Sequence, residues 1–495
     1  NPVVLASAPT TISLVKVNPS LGNTTLVDLA GVISGGNDNS VLLLNTSLAG
    51  DYAGGFRLSG ANTFRGTVQL NRGTLAVTSN ASLGDAANPL YVNANTNSQL
   101  RFDAPMTFAR QTTFVTATQL NTLGNNVDFS GAILGGGALT KIGEGTLTLS
   151  SALNLGTNAL TVRQGALRIT GAQPNANTIT LAGTSTFETA LASGTAQSFG
   201  ALTFAGGDAT VRSTQVGAAQ TLTFASLAAR PVGATMNFAL TGGDAATNRI
   251  VLTGATANAL LGTGQFFNGS DYAFVDTAGF VRAYAASDAG YLAAAGAINP
   301  AFTKAATRTA TTGNIGGTTV TLADVDGLAV GQYVAGFGVA AGTTIAAVDA
   351  VNKVVTLNKA LNGNVGGTFT AWTPSAINLV SSAATNFAEG GAVNTLTLGG
   401  ATSADNAVTV GAGRSLVLGG LLVKGGNAAT LAGGYLSTLA AGGELVIRTA
   451  SAADSLAISS ILVNNTSAGA LTVSGPGTVS LKGINSGTFG GSLNI

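Results

Sequence analysis

Hydrophobic and polar residues alternate along short segments of this chain, most clearly in the segment 137–169. There Leu147 and Leu149 fall on one face of an extended strand, while Thr146 and Thr148 fall on the other face. The same alternation returns twice more before the segment ends. The pattern predicts a series of short β-strands, each of which has a single apolar face.

Glycine separates these predicted strands. Gly145, Gly156 and Gly165 stand between them, where a residue without a Cβ atom can adopt a positive φ and turn the chain. The segment therefore predicts a coil of strand, turn, strand, turn and strand that uses about 20 residues. The few apolar side chains of one coil cannot offset the conformational entropy of about 20 ordered residues. A coil must consequently share its strand edges and apolar face with copies above and below.

Further copies of the same order of strands and glycines occur at 56–77 and 471–495. At 495 residues the chain exceeds what one globular core usually supports, whereas a stack of coils has no such limit. The sequence therefore predicts an all-β fold in which parallel coils stack as a β-solenoid.

The repeated residues match a known repeat in two halves. The first half corresponds to Gly137, Leu139, Lys141, Gly143 and Gly145-Thr146-Leu147, and the second half to residues 59–64 (SGANTF) and 73–75 (GTL). Together they resemble the autotransporter-associated β-strand repeat, also called the passenger-associated transport repeat. The chain departs from that repeat at 151–154, where its bend is replaced, and at 487–489, where its aromatic turn is missing. The resemblance implies a secreted, right-handed parallel β-helix on a bacterial surface.

The first 50 residues are expected to form lead-in strands, at 11–15 and 41–44, separated by a turn at 35–38. A first coil has an unpaired edge, so this segment either caps the solenoid or docks another chain. The capping interpretation is the simpler one. Residues 51–303 are expected to form the solenoid itself.

Strand signals recur at short intervals within that solenoid region. Strands are predicted at 90–92, 99–102, 127–129, 179–181, 202–204, 222–224, 236–240 and 250–252. Glycine-rich turns are predicted at 206–208 and 242–244. Residues 284–295 are rich enough in alanine to predict a short helix.

Residues 304–373 lack the repeat and contain the single tryptophan, Trp372. Their strands and glycine turns look like a small all-β module found in bacterial surface and phage-tail proteins. We expect an insertion in the solenoid, which either binds a surface or acts as a spacer or cross-brace. The solenoid is expected to resume at 374–495, with Gly-Gly doublets closing the strands at 396–398 and 416–418. Because Ile495 falls inside a repeat, we expect the natural protein to continue, with any translocator beyond it.

Composition limits the classes of partner. Charged residues are 8% of the chain, hydrophobic residues are 45%, and 69 residues are glycine. The exterior must therefore be built largely from Thr, Ser, Asn, Gly and Ala, which can form hydrogen-bonded ladders on successive coils. A formal net charge of +1 argues against nucleic-acid binding. No apolar run reaches membrane-spanning length, so no transmembrane segment is predicted in this chain.

The residue types needed for common catalysis are scarce. The chain has no histidine and no cysteine, which removes the commonest general base and the thiol nucleophile. Acidic pairs of the kind used by glycosidases and lyases remain at Asp271 with Asp276 and at Asp324 with Asp326. Residues 324–327 have the carboxylate spacing of a calcium loop but lack its other ligands. We interpret all four aspartates as solvated turn residues, and predict no catalytic, cofactor-binding or metal site.

The sequence thus favours a non-enzymatic, extracellular β-solenoid at a bacterial cell surface, associated with the outer membrane. Solenoid ends are strand edges and a neutral flank does not repel its twin, so self-association into a rod, fibre or sheath is expected. The alternative is an adhesin, an autotransporter passenger that binds host surfaces or glycans through residues 304–373. A third hypothesis is an enzyme that cleaves polysaccharides on a β-helix scaffold.

Overall fold

The computed structural model describes residues 3–7, 9–12, 26–44, 54–93, 98–192, 194, 196–294, 304–340, 342–373, 377–439, 442–464, 467–483 and 489–495. Within these ranges the chain is almost entirely β-strand, with one 3₁₀ turn at Asn80–Leu83 and no α-helix. The strands wind into about 18 parallel coils, so the all-β solenoid predicted from the sequence is confirmed. The coils belong to two compact units, residues 1–231 with 236–256 and 277–281, and residues 232–235 with 257–276 and 282–495.

The strands up to residue 252 are short and closely spaced. They are β1 (Val3–Leu5), β2 (Thr10–Ile12), β3 (Leu26–Leu29), β4 (Ile33–Leu44), β5 (Gly55–Leu58), β6 (Arg65–Leu70), β7 (Thr74–Val77), β8 (Leu90–Val92), β9 (Ser98–Phe102), β10 (Met106–Phe108), β11 (Thr112–Phe114), β12 (Thr118–Asn121), β13 (Val127–Phe129), β14 (Ile133–Gly135), β15 (Leu139–Ile142), β16 (Thr146–Leu149), β17 (Leu153–Asn154), β18 (Leu160–Val162), β19 (Gly165–Ile169), β20 (Ile179–Ala182), β21 (Ser185–Thr189), β22 (Gln197–Thr214), β23 (Gln220–Leu227), β24 (Ala234–Thr241) and β25 (Asn248–Leu252). The eight strands predicted between 90 and 252 all lie within members of this series. Of the strand predicted at 11–15, residues 11 and 12 belong to β2, and 13–15 lie outside the described residues.

One coil of the first unit contains three strands. β14, β15 and β16 form one coil and β17, β18 and β19 the next, and each strand pairs in parallel with its counterpart. Leu147 lies opposite Leu167, and Leu149 lies opposite Ile169. Equivalent positions here recur every 20 or 21 residues, close to the predicted coil length. The three strands predicted in 137–169 do not form one coil, however, because the first and the last of them, β16 and β19, stack on each other in successive coils.

The apolar face of each strand forms the interior of the coil. Leu147 and Leu149 are fully buried, whereas the hydroxyl side chains between them remain partly exposed. Aromatic rings pack against one another inside, both between successive coils and within one coil. The ring centroids of Phe108 and Phe129 lie 4.9 Å apart, and those of Phe102 and Phe108 lie 5.4 Å apart. Such contacts stabilise the core beyond the burial of ring area alone.

Side chains on the outer face form hydrogen bonds and ion pairs between coils. Gln99 lies opposite Gln119, and the Gln99 amide donates to the Gln119 carbonyl oxygen at 3.2 Å. Arg57 lies opposite Asp28 and also reaches Asp103, with a nitrogen-to-oxygen distance of 3.1 Å in both ion pairs. The Gln99 contact and the contact of Arg57 with Asp28 link neighbouring coils.

Two predicted turns prove to be bends inside continuous strands. Residues 35–38 lie within β4 and residues 206–208 within β22. Gly35 and Gly207 each have a φ of 77°, which turns the backbone while strand pairing continues on both sides. The turn predicted at 242–244 does separate β24 from β25.

The helix predicted at 284–295 is absent, and this prediction was wrong for the described part, 284–294. Tyr291–Ala294 forms a strand that pairs in parallel with residues 378–381. Asp288 holds the preceding turn, because it accepts hydrogen bonds from the Arg282 guanidinium at 2.6 and 2.7 Å and from the Ala285 amide at 2.7 Å. Pairing with a neighbouring coil thus overrides the helix propensity of alanine.

The second unit contains further strands of the same kind. They are β26 (Ala259–Leu260), β27 (Gln265–Phe267), β28 (Asp271–Val275), β29 (Val281–Ala283, which begins in the first unit), β30 (Tyr291–Ala294), and, after the insertion, β37 (Asn378–Ser381), β38 (Thr385–Phe387), β39 (Gly391–Leu398), β40 (Ala407–Val410), β41 (Ser415–Val423), β42 (Ala428–Ala432), β43 (Tyr435–Thr438), β44 (Glu444–Thr449), β45 (Ser455–Ile458), β46 (Ile461–Leu462), β47 (Ala470–Ser474), β48 (Thr478–Leu481) and β49 (Ser492–Asn494). From β30 onward, outside the insertion, they pair in parallel around a core of leucine, valine and isoleucine.

One of the two predicted Gly-Gly strand ends is wrong. Gly399 and Gly400 follow the end of β39 as predicted, but β41 continues through Gly419 and Gly420. A Cβ atom on Gly420 would lie 2.6 Å from the Tyr272 hydroxyl oxygen. The doublet Gly419-Gly420 therefore does not end β41. It allows β41 to pack closely against the strand that contains Tyr272.

The predicted all-β insertion is a closed barrel of six strands. They are β31 (Lys304–Thr312), β32 (Thr319–Leu322), β33 (Tyr333–Gly336), β34 (Thr343–Asp349), β35 (Val354–Leu357) and β36 (Gly367–Trp372). The barrel encloses its own core, which includes Val320, Val355 and Phe369. Because β30 pairs directly with β37, the whole barrel is inserted between two adjacent rungs of one sheet.

Buried polar side chains close the corners of the coils. Asn88 accepts a hydrogen bond from the Gly66 amide at 2.8 Å and donates to the carbonyls of Phe64 and Leu83 at 2.9 Å. Asn248 donates to three main-chain carbonyls at 3.0 Å. Asparagine was expected on the outer face, but both of these side chains are buried. Corner backbone groups lack strand partners, so an inward amide satisfies them.

Lys141 also satisfies main-chain carbonyls at a corner, but it does so with a charged group. It occupies an inward position opposite Leu120 and Val162, and only 2% of it is exposed. Its Nζ donates to the carbonyl oxygens of Ile142, Gly143 and Gln164, at 3.1, 2.6 and 3.1 Å. Burial lowers the pKa of Lys141 to about 8, although nearby Glu144 opposes the shift.

We predict that Lys141 makes stability depend on pH. The pKa of Lys141 is lower in the folded chain than in the unfolded chain, so the unfolded state binds more protons between pH 8 and pH 10.5. The free energy of unfolding should therefore rise across this interval by up to about 3 kcal/mol from this group. Thermal unfolding of wild type and Lys141→Met at pH 7.5 and pH 10 measures the difference between the two proteins.

The exposed Lys482 provides the matched control. Lys482→Met should follow the wild-type pH dependence. If wild type and Lys141→Met differed in thermal stability by the same amount at pH 7.5 and at pH 10, the result would contradict the burial of a charged amine.

Candidate functional site

The first acidic pair considered from the sequence does not form a site. Asp271 begins β28 and Asp276 follows its last residue, so about 16 Å of extended strand separates them. Asp271 accepts a hydrogen bond from the Lys424 Nζ at 2.6 Å and another from the Ser270 hydroxyl at 3.0 Å. Asp271 is therefore a strand residue in an ion pair, and its interpretation as a solvated turn residue was wrong. Because the two carboxylates of a glycosidase lie within about 10 Å of each other, Asp271 and Asp276 do not form such a pair.

The second acidic pair fixes a turn. Asp324 forms an ion pair with Arg308, and its Oδ1 accepts a hydrogen bond from the Asp326 amide at 3.2 Å. The same arginine donates to the Asp326 carbonyl. Within the part of the chain that the structure describes, no three acidic, histidine or cysteine side chains come together as a metal site would require.

The inserted barrel is held against coils of its own unit by aromatic residues. Tyr333 and Trp372 lie opposite each other on β33 and β36, and both are buried. They pack with Ala335 against Ala392 and Val417, which belong to β39 and β41. An apolar patch therefore joins barrel and solenoid.

Hydrogen bonds reinforce that contact at two places. The Tyr333 hydroxyl donates to the carbonyls of Thr438, at 3.2 Å, and of Leu439. Lys359 Nζ donates to the Asn464 carbonyl at 2.8 Å, and burial lowers the pKa of Lys359. Both contacts tie barrel side chains to coil backbone, which supports a cross-bracing role for the insertion.

A cleft of about 310 Å³ opens beside this contact. The barrel contributes the segment 336–339 and Asn362, and the coils contribute the turn 412–414 and Tyr435. Phe337 is 79% exposed, although Val339 two residues later is buried. The cleft therefore contains an exposed aromatic ring. Its wall also includes glycine residues, which have no side chain to cover the main chain.

Among the described residues that line the cleft, Arg414 is the only charged one. Its main chain is held in place, because its amide donates to the Gly411 carbonyl at 3.0 Å and its carbonyl accepts from the Tyr435 amide at 2.8 Å. The Nη1 atom of its guanidinium is shielded from solvent and has no hydrogen-bond partner among the described residues. The turn at 412–414 thus has a fixed main chain and carries a cationic donor atom that the described part of the protein does not satisfy.

Arg414 and Phe337 were not predicted as site residues from the sequence. Both lie in short glycine-containing segments, and nothing in the alternation of polar and apolar residues marks them. Only the proximity of the barrel to the coils brings them into one cleft.

Comparison with models of known protein families, with curated proteins and with solved structures returned no match. The likeness to the autotransporter-associated repeat therefore depends on the residues quoted above. A search of the described residues for a helix long and apolar enough to cross a membrane also found none.

We predict that Trp372 reports on the attachment of the barrel. Val417→Asp places a carboxylate in the buried patch beside Trp372, where an unpaired charge is strongly unfavourable. The barrel should detach, so Trp372 fluorescence should shift to longer wavelength while the solenoid keeps its far-ultraviolet circular dichroism. Because the chain has one tryptophan, the signal has a single source.

Val351→Asp is the matched control, since Val351 is 90% exposed on the same barrel. Its tryptophan emission should equal that of the wild type. Unshifted emission in Val417→Asp would contradict the proposed attachment.

Proposed function

We propose that this chain is a structural protein, an extracellular β-solenoid of a bacterial surface that serves as a rod, fibre or sheath component. The observation that carries the proposal is the parallel pairing of coil on coil in each unit. Each rung is bonded to the next by main-chain hydrogen bonds and by a shared apolar interior. Such a stack resists deformation along its axis without chemistry of its own.

The outer face supports the same proposal. Side-chain contacts such as Gln99 with Gln119, and Arg57 with two aspartates, add links between coils. A net charge of +1 leaves the flanks close to neutral, so two copies do not repel each other. The resemblance to the autotransporter repeat favours export to the cell surface.

The barrel contributes to this mechanical role as a brace. Its aromatic patch and its two sets of hydrogen bonds fasten it to coils that lie well beyond it in the chain. A freely tethered binding domain would need none of these contacts. We therefore favour bracing over simple spacing.

The second candidate function is adhesion through residues 304–373. One observation favours it, namely the cleft in which exposed Phe337 and the unsatisfied guanidinium of Arg414 meet. This function requires that adhesion to a cell or glycan surface is lost when residues 304–373 are deleted. The two functions are compatible, because a braced barrel can still present a cleft.

We predict that the purified protein self-associates. Sedimentation velocity should show assemblies whose fraction grows with protein concentration, and electron microscopy should show rods or fibres. The assemblies should persist at high salt, since nearly neutral flanks associate without net charge attraction. Monodisperse monomers at high concentration would contradict the structural proposal.

A further inference from the structure

We propose that the cleft between the barrel and the coils binds a carboxylate-bearing sugar of the hexuronate class. This assignment names a ligand class for the second candidate function. It is independent of self-association, so its failure would leave the rod proposal unaffected.

Arg414 is the reason for proposing a ligand that carries a carboxylate. Its Nη1 is buried without a hydrogen-bond partner, and leaving such a donor unsatisfied is costly. The other lining residues that the structure describes are uncharged, so none of them neutralises the guanidinium. A planar carboxylate satisfies the guanidinium fork with two parallel hydrogen bonds. The main-chain bonds of Arg414 to Gly411 and Tyr435 hold the turn that carries this side chain beside the cleft.

The aromatic residues of the cleft are the reason for proposing that the ligand is a sugar. Phe337 exposes most of its ring at the mouth of the cleft, although the chain buries most of its other phenylalanines. Tyr435, which begins a strand on the next coil, contributes a second ring. The C–H face of a pyranose ring packs on such surfaces, and the Asn362 amide can both donate to and accept from hydroxyl groups.

The size of the cleft limits the ligand. A volume of about 310 Å³ lies at the lower end of small-molecule sites, which suits one or two sugar rings and excludes a folded partner. Gly338 lies in the wall with a φ of 79°, and a Cβ atom there would approach the Gly363 carbonyl oxygen to 2.5 Å. The narrow barrel wall therefore depends on glycine.

The test is isothermal titration of the full chain at low ionic strength with D-glucuronate and D-galacturonate. D-glucose serves as the neutral sugar and acetate as the carboxylate alone. At least one uronate should bind, and more tightly than either control compound. Arg414→Gln should weaken uronate binding at least tenfold, and Phe337→Ala should weaken it severalfold.

Two further measurements keep the result interpretable. Arg414→Gln should retain the wild-type melting temperature and Trp372 emission, because the buried Nη1 atom that the substitution removes makes no hydrogen bond within the described structure. Val351→Ala, which removes an exposed side chain elsewhere on the barrel, should bind as the wild type does.

Failure of both uronates to bind the wild-type protein would overturn the proposal. Equal binding by wild type and Arg414→Gln would also overturn it, since the anion would then be held elsewhere. Acetate binding as tight as uronate binding would refute the assignment of a sugar.

Discussion

Hydrogen bonding between successive parallel coils is the constraint on which the rest of this structure depends. A coil of about 20 residues has two open strand edges and one apolar face, and it satisfies them only through its neighbours. The register of β16 on β19 shows the result, with Leu147 on Leu167 and Leu149 on Ile169. The alternation of apolar and hydroxyl residues follows directly, because one face of each rung is interior and the other is exposed.

Corners are where this constraint is hardest to meet. Backbone groups that leave a strand lose their partners, and the chain satisfies them with inward polar side chains such as Asn88, Asn248 and Lys141. The buried amine of Lys141 and the buried amides of the two asparagines therefore stabilise the corners of the coils. The Lys141 bonds also give a physical reason for a lysine at that position of the repeat, since its amine reaches three corner carbonyls. Arg414 differs, because the described residues offer its Nη1 no such partner.

Much of the fold could be predicted from the sequence, and the exceptions share a cause. Period-two alternation predicted strands such as β8 and β13, because alternation depends only on one buried face. The continuation of β22 through 206–208, the strand at 291–294 and the close packing at Gly420 were not predicted. Each depends on a partner distant in sequence, and local propensity contains no information on that partner. The cleft was missed for the same reason, since its barrel and coil residues become neighbours only after folding.

The stacking of coils is tested most directly by distances between spin labels. Thr107, Asp128, Thr148, Arg168, Glu188 and Arg212 occupy successive rungs of one sheet, and the chain has no cysteine that would interfere with labelling. Rungs are spaced about 4.8 Å apart, so cysteines at 128 and 212 should give a distance near 19 Å, and cysteines at 107 and 212 one near 24 Å. Double electron–electron resonance measures both pairs. Distances that differ by about one rung spacing would support the stack, whereas values above about 35 Å, or a shorter distance for the 107 pair, would contradict it.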